Sequence, residues 1–130
     1  MKNLILYFAA MLTLALFSCE GGTKRDWYFK NNSTKTIQIT IQTNSLNYLS
    51  DSIFNIPPSA EIKIIATDML GASKSVEGCA TIFTDVKFNH VVTKDILDDN
   101  NWTTTSKRES RIPSEYYHQC FFTINDSDIL

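Results

Sequence analysis

The chain has 130 residues, 43% of them hydrophobic, and 12 Lys and Arg against 14 Asp and Glu leave a formal charge of −2. That length supports one domain with a modest core. The near-neutral balance and the lack of a basic patch argue against nucleic acid or an anionic membrane face as partner, and the 4 glycines offer no phosphate-cradling loop.

Lys2 supplies a positive charge, and residues 4–17 then carry no charge and a single aliphatic hydroxyl, Thr13. This is the n-region and h-region of an export signal. At about 14 residues the apolar run falls short of the roughly 20 that a helix needs to span a bilayer. Leu16-Phe17-Ser18-Cys19 closes it, with an apolar residue three before the cysteine and a small one just before it. Residues 1–19 resemble the precursors of bacterial lipoproteins. The resemblance implies cleavage before Cys19, a thioether-linked diacylglycerol on its sulfur and an acyl chain on its amine. Two or more chains make such an anchor effectively permanent. Loss of residues 1–18 leaves 112 residues and, since Lys2 goes with them, a formal charge of −3.

The expected organisation is a signal peptide over residues 1–18, a lipidated flexible tether over 19–25, and a single β-rich domain over 26–130. Residues 20–25 lack apolar content and read as the tether. Asp26 to Lys30 is aromatic and strand-like, and Asn31-Asn32-Ser33-Thr34 is a turn. Ile37, Ile39 and Ile41 then alternate with Gln38, Thr40 and Gln42, the period-two signature of a strand with one dry and one wet face. A short strand over 52–56 stops at Pro57-Pro58, since proline lacks the ladder N–H. Residues 61–67 resume as strand and 68–78 form a loop. Residues 79–84 and 86–92 read as two strands meeting near Asp85 or as one long bent strand, 95–101 as an acidic polar segment, 103–114 as a mobile hydroxyl-rich loop and 115–124 as a Tyr-rich final strand. Asn125-Asp126-Ser127-Asp128 has the composition to start one helical turn. Six to eight short strands without a helical stripe predict an all-β fold, a small antiparallel β-sandwich or barrel.

Cys79 and Cys120 remain after Cys19. In an oxidising compartment they form either a disulfide, closing a loop worth about 3–4 kcal/mol, or two separate buried thiols. His90, His118, Cys79 and Cys120 have no metal-ligand spacing. Asp95, Asp98 and Asp99 lack the spacing and glycine of a calcium loop. There is no nucleophile elbow, and no catalytic constellation or cofactor motif appears, so the sequence argues against an enzyme. Trp27 and Trp102 are the candidates for an aromatic sugar platform, with core packing as the alternative.

The order of features is similar to small uncharacterised lipoproteins of the Bacteroides group. The matching residues are Asn31-Asn32-Ser33, the strand at Ile37 to Ile41, Pro57-Pro58, Ile82 to Asp85, Asn101-Trp102 and Tyr116 to Asp128. The resemblance implies an all-β fold at the outer membrane, on its periplasmic or its surface side, and no particular activity. It also implies O-glycosylation where Asp-Ser/Thr precedes an apolar residue, which points to Ser52 in Asp51-Ser52-Ile53. The expected function is a non-catalytic, membrane-anchored domain that binds a protein or glycan. The alternatives are a glycan-binding surface module and a periplasmic inhibitor of a host hydrolase, similar to the lysozyme inhibitors, inserting residues 68–78 or 103–114 into an enzyme cleft.

Overall fold

The computed structural model describes residues 21–43, 52–76 and 78–130. Cys19 and the leader lie outside this set. The strands are β1 (Gly22–Asn31), β2 (Ile37–Thr43), β3 (Ser52–Ile56), β4 (Glu61–Leu70), β5 (Phe83–Phe88), β6 (Trp102–Arg111) and β7 (Ser114–Ile124). They form two sheets: sheet A in the order β4-β1-β7-β6 and sheet B in the order β3-β2-β5. Four of the five strand pairings are antiparallel, and the central one of sheet A, β1 with β7, is parallel. The all-β expectation therefore holds with one parallel pair at its centre, between the first strand and the last.

The alternating Ile37, Ile39 and Ile41 are each fully buried, while Gln38 and Gln42 are exposed. They face Trp27, Phe29, Cys120, Phe122 and Ile124 of sheet A, and together these residues form one apolar cluster. Aromatic contacts cross the gap between the sheets. Phe29 meets Phe83 edge-on at 6.3 Å, and Phe88 stacks on Phe122 at 6.4 Å. Aromatic pairs in such geometries add to the burial gain of the core.

Three segments differ from the sequence reading. Residues 22–25 belong to β1 and are not a tether. Gly22 pairs with Leu70 on one side and Glu115 on the other, and this ladder holds polar residues that no apolar pattern announces. Residues 102–111 are strand β6 rather than a mobile loop. Past Trp102 this edge strand is exposed on both faces, so it carries no period-two signal, and Thr103-Thr104-Thr105 supplies β-branched propensity instead. Finally, Cys79 precedes a 3₁₀ turn over Ala80–Ile82 rather than sitting in a strand, and β5 ends at Phe88. Beyond it only Val92 bridges, to Ile129.

β4 departs from alternation for a visible reason. Trp27 pairs with Ile65 and Tyr28 with Lys63, so Ile64 is the extra residue of a bulge. The bulge lets Ile64 and Ile65 both be buried and turns Lys63 to the outer face beside Tyr28.

Turns are fixed by side chains. Asn31 is buried and fully used: its amide donates to the carbonyls of Lys35, Ile56 and Pro57, and its Oδ1 accepts from the Ser33 N–H and hydroxyl. It thereby ties the β1–β2 turn to the β3–β4 turn. At the chain's other end, Asp126–Asp128 is a 3₁₀ turn opened by Asn125 in a reciprocal capping box with Asp128.

Candidate functional site

The strands of sheet A that pair centrally run 10 or 11 residues, whereas those of sheet B run 5 to 7. Its inner face divides accordingly. One part packs on sheet B. Over the part nearer Gly22, among the described residues, lies the segment from Gly71 to Val76, fixed by polar bonds. The Thr23 hydroxyl donates to the Gly71 carbonyl at 2.6 Å and accepts from the Ser73 N–H at 2.9 Å. His118 is fully buried between Ser73 and Ser106. The Ser73 carbonyl only accepts, so His118 Nε2 carries the proton and donates to it at 2.8 Å. Nδ1 shares a hydrogen bond with the Ser106 hydroxyl at 2.7 Å. The imidazole thus clamps the loop to the sheet.

The Cys79 and Cys120 sulfurs are joined as a disulfide, with Cα atoms 5.9 Å apart. The bond lies where the two parts of the inner face meet, and the Trp27 indole N–H donates to the Cys79 carbonyl beside it. Trp27 and Trp102 are only 3% and 6% exposed. Neither offers a sugar platform. Trp102 stacks on Phe83 and gives its N–H to the Ile96 carbonyl, so both indoles are core residues with satisfied donors.

Ser52 opens β3 next to an exposed Ile53. The acidic turn uses its carboxylates on backbone N–H groups. Asp95 accepts from the Leu97 N–H, Asp98 from the Asn100 N–H and Asp99 from the Ala80 N–H. Among the described residues no group of three or more His, Cys, Asp or Glu is placed to hold a metal. Of the segments considered for entry into an enzyme cleft, residues 68–70 belong to β4 rather than to a loop, 71–73 are pinned as described, and 103–111 are strand.

The outer face of sheet A carries a polar cluster that neither core packing nor turn chemistry explains. Asp26 points outward from β1 yet is only 7% exposed. Its Oδ2 accepts from Tyr117 at 2.9 Å, Tyr28 at 3.1 Å and the Lys63 ammonium at 3.2 Å. The Tyr28 and Tyr117 hydroxyls sit 3.2 Å apart, and Gln119 donates to Tyr117. Tyr28 stacks on Phe121 at 5.1 Å. Burial, and then the hydrogen bonds with Tyr28 and Asp26, push the Tyr117 phenol well above its usual range, so it stays a donor. The Asp26 carboxylate likewise holds the Lys63 ammonium charged to higher pH.

Beside this network runs a cleft of about 330 Å³ lined by Lys24, Asp26, Lys63, Thr67, Asp68 and Tyr117. A second, of about 200 Å³, shares Lys24 and Asp68 with it and continues to Glu109, Glu115 and Tyr116. The two make a shallow polar groove beside the Tyr117 hydroxyl, able to exchange hydrogen bonds with a hydroxyl-rich or peptide surface. The sequence reading missed Asp26, Lys63 and Tyr117 as a unit. Their only signal was parity: Asp26 and Tyr28 share a face of β1, and Tyr117, Gln119 and Phe121 share a face of β7.

No protein-family model matches the chain, and neither the curated proteins nor the solved structures hold a match to it.

Proposed function

We propose that this protein is a non-catalytic binding domain of a bacterial cell envelope, anchored to the outer membrane through lipid on Cys19, that meets a glycan or protein partner with the outer face of sheet A. The anchor reading rests on the leader and Leu16-Phe17-Ser18-Cys19. The binding reading rests on the Asp26 network. A carboxylate on the solvent side of a sheet has water at hand, yet this one is ringed by two phenols and an ammonium. Such groups, fixed in advance beside a groove, lose little freedom when a partner binds.

Two experiments test the halves separately. For the anchor, the full-length protein expressed with its leader is expected to incorporate acyl label and to fractionate with membranes, and Cys19→Ala to lose both. Membrane association of the unlabelled Cys19→Ala protein would remove the anchor reading. For the face, the lipidated protein is used to recover partners from native envelopes and to screen immobilised glycans, alongside Tyr28→Ala and Lys63→Ala. Loss of a ligand in both variants, with unchanged circular dichroism, supports the groove. Undiminished capture by both places the binding elsewhere.

Ser52 is proposed as an O-glycan site on the Asp51-Ser52-Ile53 triplet. An unmodified Ser52 peptide in mass spectra of protein from its native host would exclude it.

A further inference from the structure

We infer that the end of sheet A where β1 begins sits in the headgroup layer of the membrane, with Leu70 and Ile112 seated among the lipids. The inference rests on the reading of Cys19 as lipidated, and the fold adds the geometry. Gly21 is already part of the fold. Its carbonyl accepts the Gly71 N–H at 2.7 Å, and a Cβ on it would run into the Ser114 carbonyl. From Gly22 the chain is locked between β4 and β7. Cys19 is therefore two residues from a residue locked in the sheet, about 7 Å at full extension. The headgroup region of one leaflet is about 5–8 Å deep outside the hydrocarbon core. A lipid on Cys19 would hold this end of the sheet at the membrane surface with no room to stand away.

The end so placed carries two of the most exposed large aliphatic side chains among the described residues. Leu70 is 87% and Ile112 85% exposed, and Met69, beside Leu70, is 43% exposed. Leu70 is the partner of Gly22, and Ile112 follows Arg111 in the turn that joins β6 to β7. Flanking charges nearly offset one another, Lys107, Arg108 and Arg111 against Glu109 and Glu115, so the contact is mainly apolar, with a single net positive charge beside it. Val91 and Leu130 are exposed too, at 65% and 78%. They sit at the opposite end of the sheet, where the Leu130 N–H bonds to the Val91 carbonyl beyond the far end of β7. Ten residues of strand, about 30 Å, separate the two ends. That far end is the built-in control.

The test uses full-length protein expressed with its leader, its Cys19 peptide checked for acyl mass, reconstituted in phosphatidylcholine vesicles with or without brominated chains. Leu70→Trp, Ile112→Trp and Val91→Trp are compared with the parent, whose buried Trp27 and Trp102 give a common background. Emission from the added indole is expected to fall severalfold in brominated vesicles at positions 70 and 112 and to hold at 91. Equal loss at all three positions, or no loss at 70 and 112 in acylated protein, overturns the inference and leaves the anchor intact. A Cys19 peptide without acyl mass removes the anchor and this orientation with it.

Discussion

The two parts of sheet A's inner face are built differently. Near Asn31 and Ile124 the sheet packs on sheet B through Phe29, Phe122 and the isoleucines of β2, and its stability there comes from removing apolar surface from water. Near Gly22 the loop over the sheet is held by Thr23, Ser73, Ser106 and His118, through single directed bonds. The first kind of contact tolerates approximate shapes and announces itself as a pattern. The second kind depends on a few atoms and announces nothing.

The contrast is sharpest under mutation. Phe29 is fully buried and touches Phe83, Trp102 and Phe122. Phe29→Ala is expected to cost about 3–5 kcal/mol, measured by denaturant unfolding, and to weaken the whole fold in one cooperative transition. Removing the disulfide that spans 41 residues, as Cys79→Ala with Cys120→Ala, is expected to cost about 4 kcal/mol or slightly less, checked by the same titration under oxidising conditions. His118→Ala strands the Ser73 carbonyl and the Ser106 hydroxyl, at about 2 kcal/mol. It should raise amide exchange at residues 71–76 far more than in β2. If exchange rises equally in both, the two parts are one cooperative unit and the distinction drawn above fails.

The outer face supplies the smallest effect. Tyr117→Phe removes one donor from Asp26 while Tyr28 and Lys63 remain, and about 1 kcal/mol is expected. Its pH dependence is more telling. The Tyr117 phenol ionises above the ordinary 10.0 in the folded chain. Its stabilising effect is therefore complete below that pH and fades as pH climbs past it toward the raised folded value. Tyr117→Phe should lose less thermal stability than the parent above pH 10.0, and the parent should show one tyrosine whose ultraviolet phenolate signal lags the others. Asp126, held low by the Thr34 N–H and hydroxyl, works in the other direction. Its contribution is present above the ordinary carboxylate range and fades as pH falls, so Asp126→Asn should narrow the difference from the parent in strong acid.

The same division decides what could be read in advance. Ile37, Ile39 and Ile41 spell out a half-buried strand, and Pro57-Pro58 marks where one ends, because burial and proline chemistry write directly into residue type. Asn31 as a turn residue and Asn125 as a helical-turn opener were legible for the same reason. β6 was not. Its neighbour on one side is β7 and on the other solvent, so Ser106 and Lys107 needed no apolar partner and looked like loop. The start of β1 was hidden by polar residues ordered by backbone pairing and by the Thr23 hydroxyl's bonds to Gly71 and Ser73. The Asp26 network was invisible because its members are 37 and 91 residues apart along the chain, and only the register of three strands brings them together.

One consequence of the topology reaches into biogenesis. β1 pairs along its whole length with β7, from Gly22 beside Glu115 to Asn31 beside Ile124, and this pair forms the middle of sheet A. The first of the described strands to leave a ribosome or a secretion pore thus waits for the last of them before either is satisfied, and contacts between segments so distant in sequence form slowly. For a chain exported as proposed, that delay would keep it threadable during passage and confine its final closure to the far side of the membrane.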